Sequence, residues 1–147
     1  MWMSKTDKTK VALVTPPVTE KVAHHPLFPP LGLAYMAAVL EQAGVEVKII
    51  DSPVLNFNHQ NLKTELEAYQ PTIVGVGSMT PTIESALKCV QIAKEAAPTA
   101  QVIMGGPHAT FADTEILSSE QAVDVIVRGE GEETIVELAK QTPLENI

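Results

Sequence analysis

The chain has 147 residues, 10 basic against 18 acidic side chains (net charge −8), 45% apolar residues and one cysteine. That length suits one domain with a real core, and that charge gives no basic stripe on which nucleic acid could be held. No apolar run approaches the roughly 18 residues of a membrane span and the first ten residues are polar, so a cytoplasmic protein is expected.

Lys10 to Thr15 is a continuous apolar run ended by Pro16-Pro17, the pattern of a strand buried on both faces. The segment from Val18 to Pro30 is a loop with prolines at 26, 29 and 30 and the pair His24-His25. Connections of about 2 to 6 residues are usual at this point, and longer ones tend to be functional. Leu31 to Ala43 is helical, with Gly44 as its closing residue, and Gly32 in the first turn suggests a close approach. Val45 to Asp51 alternates as a second strand, nearer the edge, closed by Ser52-Pro53. Asn61 to Tyr69 carries helical spacing, and Thr72 to Ser78 is a third strand whose Gly75 and Gly77 suggest that another backbone or a ligand passes close by. A helix starts near Pro81 and runs towards Pro98.

Gln101 to Gly106 is a short buried strand that ends in two glycines, followed by Pro107 as a stop and His108 at the lip. Two missing Cβ atoms at the carboxyl end of a parallel strand suggest a ligand site, although a tight turn would also use glycine there. Thr110 to Leu117 forms a short helix, Val123 to Arg128 a fifth strand, and Thr134 to Lys140 a last helix after Gly129-Glu130-Gly131. Five strands alternating with five helices give an α/β, flavodoxin-like, doubly wound parallel sheet in three layers, with strand order 2-1-3-4-5. Its switch point lies between the first and third strands, so their loops should line the main crevice.

Cys89 lies within Ala86-Leu87-Lys88-Cys89-Val90, a helix packed on a sheet, and reads as a small buried hydrophobe in preference to a reactive thiol. As the sole cysteine it forms neither an intrachain disulfide nor a cysteine-rich metal cage. Other uses of the fold fail on its loops. The first turn lacks the glycines of a dinucleotide fingerprint, no phosphate-binding G-x-x-x-x-G-K-[ST] occurs, and Ser78 stands where a receiver domain needs its phosphoacceptor aspartate. The Pro- and His-rich first loop is also unlike the hydroxyl- and glycine-rich phosphate loop of flavodoxins.

Pro30-Leu31-Gly32-Leu33-Ala34-Tyr35-Met36-Ala37-Ala38-Val39-Leu40-Glu41, then Gly44, Asp51, Val74 to Ser78, Gly105-Gly106-Pro107-His108 and Gly129-Glu130-Gly131-Glu132, together resemble the amino-terminal domain of cobalamin-dependent radical-SAM enzymes. Anaerobic magnesium-protoporphyrin monomethyl ester cyclases and many methyltransferases share this arrangement. The resemblance implies a cobalamin-binding domain over residues 10–141, with a disordered tail at 1–9 and the start of a linker at 142–147. It implies that Ser78 and Thr80, with Met79 between them, face the nucleotide tail of the cofactor. Gly105 and Gly106, followed by Pro107 and His108, would flank that tail, and Gly129 and Glu130 would close over it. The same positions have plainer readings: Ser78 as an ST-turn or N-cap for the helix near Pro81, and Glu130, Glu132 and Glu133 as acids at a helix N-terminus.

The D-x-H-x-x-G cobalt-ligand motif of cobalamin mutases is absent after Thr15, as is common in the radical-SAM branch. His24 and His25 occupy that loop as solvated or partner-facing residues, with cobalt ligation as the alternative. One cysteine cannot hold a four-iron cluster, so the 4Fe-4S cluster and S-adenosylmethionine are expected only in a following radical-SAM domain. The chain thus reads as the front domain of a longer enzyme that performs methyl transfer or tetrapyrrole ring cyclisation. The partners implied are the corrinoid and that C-terminal domain. Two alternatives remain: a cobalamin-type fold that no longer binds the cofactor and serves as a docking or substrate-recognition module, and a flavodoxin-like domain for another nucleotide.

Overall fold

The computed structural model describes residues 8–18 and 27–147. Lys10–Thr15 forms strand β1, whose four central residues are buried. Strands β2 (Glu46–Asp51), β3 (Ile73–Gly77), β4 (Gln101–Gly105) and the two-residue β5 (Val125–Ile126) complete one sheet. All neighbours pair in parallel, in the order β2-β1-β3-β4-β5. The flavodoxin-like topology expected from the alternation of elements is the one observed, with β2 at an edge.

Among the described residues six α-helices flank the sheet: α1 (Leu31–Gln42), α2 (His59–Tyr69), α3 (Ile83–Ala96), α4 (Pro107–Phe111), α5 (Asp113–Ser119) and α6 (Glu132–Ala139). Side chains alternate across each strand, which divides the core in two. Val11, Leu13 and Ile103 pack against Ala37 and Leu40 of α1 and Ile135 and Leu138 of α6. Ala12, Val14, Val74, Val76, Val102 and Met104 pack on the opposite side with Leu62 and Leu66 of α2, Val90 of α3 and Ile116 of α5. The three layers are therefore α1 and α6, the sheet, and the remaining helices.

Several boundaries differ from the sequence reading, each for a local reason. The helix placed at 110–117 is two short helices, because Pro107 starts α4 directly after Gly106 and the chain breaks at Ala112 before α5. Pro107 thus ends the strand and opens a helix at the N1 position, where its missing N–H is not needed. The fifth strand is much shorter than 123–128, with only Ile103↔Val125 and Met104↔Ile126 paired. Helix α2 begins two residues earlier than expected because Asn58 and Asn61 cap it reciprocally, each side chain accepting the other's backbone N–H at 2.9 and 3.0 Å. The glycine at 75 accommodates a side chain and not a ligand or a backbone: a Cβ there would stand 3.0 Å from Leu13 Cδ2.

Candidate cofactor site

The carboxyl ends of β1, β3 and β4 form one continuous edge. Val14 pairs with Val76, so Thr15 stands level with Gly77, and Gly77 in turn pairs with Gly105. Alternation from Val11, Leu13 and Ile103 places Thr15, Gly77 and Gly105 on the face covered by α1 and α6. A Cβ at Gly77 would meet nothing nearer than Val14 O at 3.9 Å, and one at Gly105 nothing nearer than Val127 O at 3.5 Å. Both glycines therefore leave open a space that a side chain would occupy, and neither is required by crowding or by a positive φ.

Gly106 is a different case. It has φ +96°, and a Cβ there would lie 2.4 Å from Ser78 O. Close packing of the β3 end on the start of α4 demands glycine at this position. Ser78 completes the join: its backbone N–H and its hydroxyl both donate to Gly105 O, at 2.9 and 2.8 Å. Its carbonyl accepts from His108 N at 3.3 Å and its Oγ from Ala109 N at 3.2 Å. Ser78 thus caps α4 from a neighbouring strand, satisfying the N2 and N3 donors that Gly106 has no side chain to reach. The cap expected of Ser78 exists, but on α4 and not on the helix that follows it. The only hydroxyl proton of Ser78 is already committed to Gly105 O.

The remaining site residues gather around this join. Thr80 Oγ1 lies 3.1 Å from His108 Nδ1, which links the exposed turn after β3 to α4. Met79 is exposed between them. Gly129, at φ +65°, donates its N–H to Thr110 Oγ1 at 3.0 Å, which ties the turn after β5 to α4, and Glu130 is exposed beside it. Glu132 and Glu133 lie in the first turn of α6, as acids favoured by the helix dipole do. Ser78, Thr80, Gly105, Gly106, Pro107 and His108 are therefore contiguous, with Gly129 joined through Thr110. His24 and His25 lie outside the described residues.

Asp51, Ser85 and His59 are three further residues to which the sequence assigned no binding role. Asp51 pairs with Thr15 at the edge of the row. Burial raises its carboxyl above the usual carboxylate value, and the Thr15 hydroxyl draws it part of the way back. Thr15 Oγ1 is itself buried and acts on Asp51 without reaching hydrogen-bond geometry with any group. Ser85, buried on α3, donates to Pro17 O at 2.8 Å and so holds the root of the β1–α1 loop, with His59 Nε2 behind it at 3.1 Å from Ser85 Oγ. A serine, a histidine and a proline so far apart in sequence carry no local signal. A concavity of about 280 Å³ lies apart from this row, between Val125, Arg128, Leu138 and Ile147.

A family model described as the B12 binding domain matches residues 23–139. The chain belongs to the B12 binding domain family. It is 38% identical over 120 residues to the anaerobic magnesium-protoporphyrin IX monomethyl ester cyclase of Cereibacter sphaeroides, covering 81% of this chain and 20% of that protein. It is 34% identical over 131 residues to an uncharacterised methyltransferase of Pyrococcus horikoshii, covering 88% of this chain and 28% of the relative. The structure of the radical S-adenosylmethionine methyltransferase TsrM from Kitasatospora setae, with cobalamin and a [4Fe-4S] cluster bound, superposes with a TM-score of 0.78 at 21% identity. That match covers 91% of this chain and 24% of TsrM, and at this identity it shows a shared fold. The chain thus spans 20–28% of the length of these proteins. Among the described residues no helix is long and apolar enough to cross a membrane, and no cluster of three or more His, Cys, Asp or Glu is placed to hold a metal ion.

Proposed function

We propose that this B12 binding domain holds a corrinoid at the carboxyl edge of its sheet, as the front part of a radical-SAM enzyme that performs methyl transfer or ring cyclisation. The observation that carries the proposal is the paired, unfilled floor of Gly77 and Gly105 at the carboxyl edge of the sheet. A bulky ligand with an extended arm needs backbone bare of side chains, a few polar contacts and an apolar surround. Exposed Leu31 and Tyr35 on α1 and Met79 after β3 supply apolar surface near the strand ends.

In this reading the nucleotide tail lies along Gly77 and Gly105 on the α1 and α6 side. Ser78 and Gly106 hold that slot open by fixing β3 to α4, and Pro107 starts the helix beside it. Thr80 and His108, a hydrogen-bonded and partly exposed pair, offer polar contacts to the tail, with Met79 alongside. Gly129 and Glu130 close the far side. For Ser78 to donate to a ring nitrogen its hydroxyl must turn away from Gly105 O. The bound corrinoid supplies the organometallic chemistry, and these residues bind and orient it. The iron–sulfur cluster and S-adenosylmethionine belong in this proposal to a following radical-SAM domain, and the protein works in the cytoplasm, with neither nucleic acid nor membrane as partner.

A docking module that has lost the cofactor is the second reading, and the full engagement of the Ser78 hydroxyl within the protein favours it. Incubating the purified chain with hydroxocobalamin, desalting it and recording the visible spectrum separates the two. Corrin absorbance that travels with the protein in near-stoichiometric amount supports the proposal. Its complete loss on desalting supports the docking module.

A further inference from the structure

The row that holds Gly77 and Gly105 does not end at Thr15. Asp51, the last residue of β2, stands level with Thr15, so Asp51, Thr15, Gly77 and Gly105 follow one another across four strands. Ile50 packs on the α2 and α3 side and Val47 on the α1 and α6 side, so alternation turns Asp51 to the same face as the two glycines. At about 4.8 Å per strand, Asp51 lies roughly 10 Å from Gly77 and roughly 14 Å from Gly105. Asp51 is half-buried, and among the described residues no basic side chain forms an ion pair with it. The Thr15 hydroxyl relieves part of the cost of burying its charge. Val54 and Leu55, in the turn after β2, are exposed, and helix α1, which packs on β2, brings exposed Leu31 and Tyr35 to the same end of the sheet. The acid is thus bordered by apolar surface on the β2 side of the row.

We propose that Asp51 binds a primary amide on the rim of the corrinoid ring and selects against rings that carry a negative charge at that point. The inference rests on the corrinoid reading above and extends the site from the Gly77 floor to the edge strand β2. With the nucleotide tail over Gly77 and Gly105, the ring is the part of the ligand that extends towards β2. An ionised carboxylate accepts hydrogen bonds and donates none, so a ligand that engages it must bring N–H or O–H groups. A corrin ring is fringed with acetamide and propionamide arms, whose NH2 groups are donors of that kind, and a charged acceptor makes such bonds stronger than neutral ones. A carboxylate in place of the amide would set two like charges together beside apolar surface, where water screens them poorly.

The test compares hydroxocobalamin with its three monocarboxylic acids, each with one propionamide arm hydrolysed, by absorbance titration of the wild-type chain and Asp51→Asn. Salt at about 0.15 M screens charges more than about 8 Å apart, so only a close pair of charges should register. The wild-type chain is expected to bind at least one of the acids about tenfold or more weakly than hydroxocobalamin, and Asp51→Asn to bring that ratio to within about twofold. Asparagine is isosteric and keeps an acceptor for the Thr15 hydroxyl. Because burial disfavours the ionised form of Asp51, the neutral variant should fold with an unchanged or raised Tm. A purely structural Asp51 would change all four affinities by one factor. Equal ratios in the two proteins, or a wild-type chain that binds all four corrinoids alike, would overturn the role of Asp51 and leave the corrinoid reading intact. Failure of the wild-type chain to bind hydroxocobalamin would overturn both.

Discussion

Gly77 and Gly105 stand opposite each other in the β3–β4 ladder, on the face roofed by α1 and α6, and neither is a glycine that the fold demands. Gly106, the very next residue, is demanded: a Cβ there would overlap Ser78 O at 2.4 Å. Adjacent glycines thus differ: the chain requires glycine at 106 and does not require it at 105.

This difference predicts opposite thermal behaviour. Gly77→Ala and Gly105→Ala keep a compatible backbone and restrict the unfolded chain, so each should hold or raise stability by about 0.4–1 kcal/mol. Gly106→Ala combines a strained φ with a backbone clash and should cost at least about 1–3 kcal/mol. Thermal melts of the three variants check both directions, and equal losses in all three would contradict the assignment.

Ser78→Ala should destabilise the protein although the residue lies at the candidate site. It leaves Ala109 N–H without its cap and removes one donor from Gly105 O, a loss of about 1–3 kcal/mol for buried groups. For a chain of this size that corresponds to a fall in Tm of roughly 2–4 °C per kcal/mol. Calorimetry of Ser78→Ala beside wild type measures it.

His59 gives a pH dependence of defined sign. Burial lowers its pKa below 6.5, helped by nearby Lys88, and the Ser85 carbonyl opposes the shift. The unfolded chain then binds a proton more readily than the folded one, so stability is lost as pH falls through 6.5 towards the lowered folded value. Urea unfolding at about pH 7.5 and about pH 5.5 should show this slope in wild type and a shallower one in His59→Gln. An unchanged slope in the variant would assign the pH dependence to other groups.

Cys89 should be chemically silent. Burial pushes its thiol up to about 12, so almost none is thiolate at neutral pH. A thiol-specific chromogenic reagent should label it only after unfolding, and rapid labelling of the native chain would refute its placement in the core.

The strand pattern and sheet order were legible because apolar runs and their stops are local. Lys10 to Thr15 and Gln101 to Gly105 show themselves as buried strands without reference to anything else in the chain. The glycine, serine and histidine positions near the strand ends were visible for the same reason. Their partnerships were not. Ser78 caps a helix that starts 29 residues later, Ser85 holds Pro17 across the molecule, and Asp51 joins the row only because β2 pairs with β1. Gly75 shows the converse error: a glycine in a strand suggests a ligand, and here a leucine from the next strand uses the space. Helix α2 began early because a reciprocal Asn58 and Asn61 cap lacks the Ser/Thr and Glu form by which such caps are usually recognised.

The central claim is that the bare floor exists to receive a corrinoid, and the most direct test is an absorbance titration of the Gly77→Ala, Gly105→Ala double variant with hydroxocobalamin beside wild type. Filling a fitted slot with two methyl groups should weaken binding about tenfold or more, with Tm unchanged or raised. Equal affinity in the two proteins would contradict the account.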